Sequence, residues 1–331
     1  LVGDPCEPLR NRAINMHYPP GSVIKPLILT AGMEAGKITT GEVISCPAHR
    51  APQGWPSCLI YLRNNWNCHD SMWSNTARNA IKGSCNIYFS HLADRIDPVV
   101  LQSWFFRFGY GRLALDSILD TRSSMLEQAT SDDEQASSIE NRASRQFRQV
   151  QGQIANTPAK DTITSFEQLP ALEPGEERWF GIGQGNLRVT PLQVANAMAC
   201  LARGGVYLPP RLIDDPCSQK PEAINLNISP STLAVVYDGS HAVVEESGGT
   251  ANREFAPVLR NFSSRGIRLY GKTGSTSQPE HAWFGGFAKD AKGRKTAIAV
   301  VVAGGQQGST DAAPLARDIL QFCVEAGYLG R

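Results

Sequence analysis

The spacing of apolar positions changes twice along the chain. In "SVIKPLILTAGMEA", from residue 22 to about 35, apolar residues fall on nearly every side, which predicts a helix buried in a core. Pro26 lies in its first turn, where a missing N–H costs little. Residues 42–70 lose the period; with Pro47, Pro52, Gly54, Pro56 and three cysteines they read as loop. Helical spacing returns over about 74–82, over 86–92 with an extension towards 95, and over 97–109, the last with Pro98 at its first position and Gly109 at its end. The strongest helix signal lies in "VTPLQVANAMACLARGG", residues 189–205, where Thr190 caps, Pro191 follows and Gly204–Gly205 stop the element. Another helix is predicted over about 231–245. Beyond residue 265 the pattern becomes short, β-branched and strand-like over 265–274, 281–290 and 293–305. Short links favour antiparallel pairing, and an amphipathic helix over about 312–326 is placed to cover one face. Helices first and a sheet afterwards give an α+β arrangement rather than alternating βαβ units.

Residues 117–165 differ from everything around them. They are rich in Ser, Gln and Glu and poor in large apolar side chains, so they read as an exposed helical insertion or a disordered loop, with no chemistry assigned.

Composition narrows the function classes. The 331 residues are 41% hydrophobic and 19% charged with net charge +1, a globular chain without the basic face that nucleic-acid binding requires. The greasiest run, "TAIAVVVAG", is too short for a membrane span. The chain opens on Leu1 with no signal peptide, so a piece of a longer polypeptide with its targeting segment upstream is expected. Eight cysteines lean towards an oxidising compartment. Cys85, Cys200 and Cys323 lie in apolar helical contexts and read as buried small hydrophobes.

Three short stretches carry possible chemistry. Ser22 and Lys25 stand one helical turn apart at a helix start, where free N–H groups and the helix dipole stabilise negative charge. A serine attacks a carbonyl only if a base takes its proton, and Lys25 can serve only when neutral. Burial among Ile24, Leu27 and Ile28, with a nearby cation, would lower its pKa. Taken alone, the tetrapeptide is better explained by a lysine snorkelling from a core helix. "GSCN" places Ser84 and Asn86 in a turn between apolar helices; Ser84 could relay a proton and Asn86 could bond a substrate amide, although taken alone Ser84 is better explained as a helix cap. "GKTGSTS" puts Lys272, Thr273 and Gly274 at a strand end. There a cation and a hydroxyl could grip a carboxylate, Gly274 could admit a substrate backbone, and the Ser275 N–H could help hold an oxyanion.

Together and in this order, these stretches resemble the serine–x–x–lysine, serine–x–asparagine and lysine–threonine–glycine set of penicillin-binding proteins and serine β-lactamases. "NRAINMHYPPGSVIKPL", "GIGQGNLRVTPLQVANAMACLARGG", "VVEESGGTA" and "GKTGSTS...HAWFGGFA" resemble further blocks of the class B, monofunctional transpeptidase domain, with a slight leaning to the elongation type. The resemblance implies a penicillin-binding protein/β-lactamase-like fold, an antiparallel sheet flanked by helices plus an all-helical subdomain. The helical part would cover about 22–255, interrupted by the insertion over 117–165, with the sheet part over about 256–331. It further implies Ser22 as acyl-forming nucleophile, Lys25 as its base and Ser84 and Asn86 lining the cleft. Lys272, Thr273, Gly274 and Ser275 would contact substrate, and the N–H groups of Ser22 and Ser275 would form the oxyanion hole. The activity implied is peptidoglycan D,D-transpeptidation on stem peptides ending in D-Ala–D-Ala, with β-lactams as competing acyl donors and no required cofactor. A D,D-carboxypeptidase or a non-turnover penicillin-sensing or scaffolding domain stands as the alternative. A cell-wall glycosyltransferase partner and an extracytoplasmic, periplasmic-face location with an inner-membrane anchor are expected of the full-length protein.

The sequence departs from the family pattern at its start. Two sheet strands, a pedestal region and the anchor that usually precede the nucleophile helix would all lie upstream. In the loop around Cys46, His49, Cys58, Cys68 and His69 the order is C-x2-H then C-x9-C-H, which matches no standard zinc spacing. Some elongation-type relatives carry a metal in the corresponding loop. A Cys46–Cys58 disulfide, unrelated thiols and a structural zinc at Cys46, Cys58 and His69 all stay open, in that order.

Overall fold

The computed structural model describes residues 11–65, 68–111, 166, 169, 171–211 and 222–330, so the polar segment over 117–165, Cys6 and Cys217 lie outside the described residues. In chain order the helices before the sheet are α1 (Arg12–Asn15), α2 (Lys25–Glu34), α3 (Leu59–Asn64), α4 (Ala77–Gly83), α5 (Asn86–Asp94), α6 (Pro98–Arg107), α7 (Glu176–Phe180), α8 (Pro191–Ala202), α9 (Pro230–Glu245) and α10 (Asn252–Ser264). A short hairpin, β1 (Val206–Tyr207) with β2 (Ile224–Asn225), interrupts them. Strands β3 (Arg268–Ser277), β4 (Glu280–Lys289) and β5 (Lys295–Ala303) then form an antiparallel sheet in that order, closed by α11 (Ala313–Glu325).

The sheet is a layer between two sets of helices. On one face, Trp283 donates its indole N–H to the Pro19 carbonyl at 3.0 Å, and Gly285 lies against Val23, Val194 and Met198. That face therefore meets the turn before α2 and helix α8. On the other face Phe284 stacks on Phe255 of α10, their ring centroids 5.3 Å apart. The alternation of Trp283 and Gly285 with Phe284 along β4 is the period-two consequence of the pleat, and it lets one strand pack against helices on both faces of the sheet. Helix α8 is held at its start by a capping box, in which the Thr190 hydroxyl accepts from the Gln193 N–H and the Gln193 side chain accepts from the Thr190 N–H.

Several boundaries differ from the sequence expectation. The segment at 22 opens as a 3-10 turn, Gly21–Ile24, and becomes α-helical only at Lys25, because Pro26 fits a first helical turn. The loop over 42–70 contains α3. Helix α10 was not predicted, and the division drawn near residue 255 falls inside it; Phe255, Val258 and Phe262 form its buried face, and Pro257 within it reads as a break. Strand β3 runs on to Ser277, so Lys272, Thr273 and Gly274 lie mid-strand and not at its end. The register pairs Ser277 with Glu280, leaving a two-residue link that lengthens both strands.

Candidate active site

Lys25 and Lys272 come from opposite ends of the chain, and both are fully buried. They meet at Ser84. The Lys25 ammonium nitrogen lies 2.8 Å from the Ser84 carbonyl, 3.3 Å from its hydroxyl and 2.8 Å from Asn86 Oδ1. Lys272 Nζ lies 2.8 Å from the Ser84 hydroxyl and 2.8 Å from the Thr273 carbonyl. Ser84 reaches both because it closes α4 in the left-handed region, φ 59°, which turns the chain sharply into α5. A non-glycine residue held there is strained, and such strain gathers at functional sites.

Burial is the main cause of both lysines' altered acidity. It lowers Lys25 to about 7, although the nearby thiols of Cys85, Cys58 and Cys46 oppose it. It holds Lys272 well below its ordinary value, with the Lys25 charge adding to the effect. The nearby cation expected to lower Lys25 is thus not among the causes of its shift, whereas the Lys25 charge does lower Lys272.

Ser22 lies in the 3-10 turn, buried at 8% exposure, and its carbonyl accepts the Lys25 N–H. Its hydroxyl makes no hydrogen bond among the described residues; the amine of Lys25 bonds Ser84 and Asn86 instead. The turn rests directly on β3. A Cβ added to Gly21, at φ 57°, would lie 2.7 Å from the Ser275 carbonyl oxygen. One added to Gly274 would lie 2.9 Å from the Pro20 carbonyl and 3.0 Å from the Val23 nitrogen. Gly274 therefore admits the chain's own serine-bearing turn, rather than a substrate backbone as the sequence suggested. The Ser275 carbonyl also accepts from Gln184 Nε2 at 3.4 Å. It faces the turn and not β4, and the N–H of the same residue shares that edge.

The other expected residues are drawn in as well. The Thr273 hydroxyl is 2.7 Å from that of Thr250, and the Ser275 hydroxyl accepts from the Gly308 N–H at 3.0 Å. Asn86 uses its oxygen on Lys25 and one N–H on the Ser57 carbonyl at 3.2 Å, leaving one N–H uncommitted.

Behind Ser84 and Asn86 lies a sulfur–imidazole cluster. Cys46, Cys58 and Cys85 are free thiols, so the Cys46–Cys58 disulfide is not formed. The ligand atoms of Cys46, His69 and Cys85 lie within 4.8 Å of one another, and His69 Nδ1 is 3.5 Å from Cys58 Sγ. His69 Nε2 donates to the Gly83 carbonyl at 2.9 Å, which turns Nδ1 towards the sulfurs. Cys85 Sγ accepts from Asn75 Nδ2 at 3.3 Å and the Tyr88 N–H at 3.4 Å. A hydrogen bond from Cys46 and the neighbouring His69 lower Cys58 to about 4. Burial works against an ionised Cys85, but bonds from Cys46 and His69 outweigh it and hold its thiol well below the ordinary value. His69 is raised to about 10 against the effect of its burial, through Cys58 and Cys85. Cys85 is buried as its context predicted, but as a polar member of this cluster. Cys200 is buried as expected, whereas Cys323 is half-buried.

Comparison with known proteins adds an independent line. The family model for the penicillin binding protein transpeptidase domain matches residues 2–321. The chain belongs to this family. A peptidoglycan D,D-transpeptidase MrdA from Haemophilus influenzae is 26% identical, aligned over 97% of this chain and 46% of its own length. A peptidoglycan D,D-transpeptidase PbpA from Mycobacterium tuberculosis is 27% identical over 98% of this chain and 59% of its own. The structure of Pseudomonas aeruginosa PBP2 in complex with WCK 5153 aligns with a TM-score of 0.64 at 25% identity, covering 95% of this chain and 63% of that one. The penicillin-binding transpeptidase fold is thus shared, and this chain spans about half the length of the curated relatives it matches. Among the described residues no helix is long and apolar enough to cross a membrane.

Proposed function

We propose that this chain is the catalytic domain of a peptidoglycan D,D-transpeptidase, working through an acyl-enzyme on Ser22. One observation carries the reading: two buried lysines share the Ser84 hydroxyl beside the turn that bears Ser22. A neutral Lys25 has two N–H groups, which match the Ser84 carbonyl and Asn86 Oδ1, each at 2.8 Å. Its lone pair is then left to accept a proton. Ser22 Oγ attacks the carbonyl of the penultimate D-alanine of a stem peptide, and Lys25 takes the hydroxyl proton. The N–H groups of Ser22 and Ser275 stabilise the oxyanion. On collapse the C–N bond breaks, the departing D-alanine amine receives a proton through the Ser84 hydroxyl, and an ester remains on Ser22. An amine from a neighbouring stem peptide then displaces Ser22, forming the cross-link and returning the proton. Lys272 and Thr273 meet the donor's terminal carboxylate. A β-lactam offers the same carbonyl and carboxylate, but its opened ring stays attached.

The sulfur cluster suits a structural zinc. Cys46, Cys58, His69 and Cys85 supply three thiols and one imidazole, with the second ring nitrogen of His69 already bonded to a carbonyl, as zinc-bound histidines require. This set extends the Cys46, Cys58 and His69 group read from the sequence by Cys85. When bound, the ion supplies a tether between the loop and the Ser84 turn, and no chemistry on the substrate. The helical and sheet parts form one domain in this reading, of elongation type, acting on the periplasmic face beside a cell-wall glycosyltransferase partner.

Intact mass after incubation with a fluorescent penicillin tests the acyl-enzyme. One adduct is expected on the natural chain and none on Ser22→Ala; an adduct surviving that substitution removes the reading.

A further inference from the structure

Thr250 belongs to none of the three motifs, yet its hydroxyl sits 2.7 Å from that of Thr273. The turn that carries it is packed hard onto the end of α9. A Cβ added to Gly249 would lie 2.2 Å from the Ala242 carbonyl oxygen, and the Ala251 N–H donates to the Val243 carbonyl at 3.0 Å. The Thr250 N–H also reaches the Lys82 carbonyl at 3.4 Å, two residues before Ser84, and Lys82 in turn pairs with Glu246 at 3.1 Å. Helix α9 and the end of α4 therefore fix where the Thr250 hydroxyl stands.

Two hydroxyls this close share a single hydrogen, one donating and the other accepting. With Thr273 as donor, its proton is spent on Thr250 and cannot serve a ligand. With Thr250 as donor, the Thr273 proton must rotate elsewhere. A carboxylate accepts and never donates, so a bound carboxylate selects the second arrangement, and a hydrogen bond to a charged acceptor strengthens the whole chain. We infer that Thr250 is a positioning residue for the acyl donor: it donates to Thr273 Oγ1 and so aims the Thr273 hydroxyl at the donor's terminal carboxylate. This rests on the reading that Ser22 is acylated and that Thr273 meets that carboxylate.

The test compares a D-Ala–D-Ala stem peptide with the same peptide bearing a C-terminal amide, on the natural chain, Thr250→Val and Thr250→Ser. Thr250→Val is expected to raise KM for the free-acid donor about tenfold, with kcat changed by less than about twofold. The amide donor is expected to lose little, so that discrimination between the two collapses, and Thr250→Ser restores it. Should Thr250→Val not fold, Thr250→Ala against Thr250→Ser isolates the same hydroxyl without added bulk. Equal losses on both donors, or unchanged discrimination, overturn the assignment to Thr250. If the natural chain gives no Ser22 adduct, the underlying acyl-enzyme reading fails instead.

Discussion

Lys25 decides what the site can do. Its environment is dry, and its two short hydrogen bonds go to oxygens that accept equally from an amine or an ammonium. Burial is the effect that makes the neutral form available, bringing its pKa down to about 7. The base is active only above that value, so the sign is fixed: protonation as pH falls removes the acceptor. The second-order rate of Ser22 acylation by a penicillin is expected to fall about tenfold per unit below about pH 7. A rate that stays flat down to pH 5 contradicts a lysine base. At this scale much was legible. Lys25, Ser84, Asn86 and Lys272, named from three separate motifs, form one hydrogen-bonded group, while Ser22 keeps its hydroxyl out of it. Thr250 and Gln184 were not assigned roles, because a lone threonine or glutamine in a glycine-rich turn has no spacing signal; only the fold brings each to β3. The free Ser22 hydroxyl was equally invisible, since the sequence places two residues on one turn without saying which bonds they prefer.

At the scale of elements, the Ser84 turn hangs between α4 and α5, and the sulfur cluster joins that turn to the loop before α3 and to the short turn at His69. Cys85 sits between Ser84 and Asn86, so its anchorage determines how both present themselves to Lys25. A tightly bound ion should stabilise this region in proportion to its affinity. Adding one equivalent of zinc to chelator-treated protein is expected to raise the thermal midpoint by more than about 5 °C. Cys85→Ser should lower the bound zinc measured by elemental analysis. No uptake by the natural chain rejects the zinc reading. The sequence offered Cys46, Cys58 and His69 as a possible set but hid Cys85, whose apolar helical context read as a core position and which only the fold brings to the other three. Helix α10 was hidden for another reason: Pro257 breaks the visible period, while Phe255, Val258 and Phe262 still bury one face against the sheet and α11. By contrast α8 was plain, because Thr190, Pro191 and the closing glycines mark both its ends locally.

Across the whole molecule, the sheet is what brings distant motifs together. Strand β3 carries Lys272 and Thr273 past the turn of Ser22, and β4 lets that turn settle because Gly285 leaves room for Val23. The α+β layout and antiparallel order were readable from the change of period along the chain. How far β3 extends was not, since strand length depends on its partner. Strand β5 pairs with β4 alone among the described residues, and Val300, Val301 and Val302 remain half-buried along it. Nearby, α11 turns Leu315, Ile319 and Phe322 outward. An apolar strand edge of this kind is a surface that proteins ordinarily cover. Whether these elements assemble a transferase, and not merely a penicillin trap or a hydrolase, is read from the products. The chain is to be incubated with a D-Ala–D-Ala donor peptide and an amine-bearing acceptor stem peptide, and the products separated by mass. Cross-linked dimer with one D-alanine released per bond is expected, and neither product from Ser22→Ala. Release of D-alanine without dimer, or no turnover at all, would contradict it.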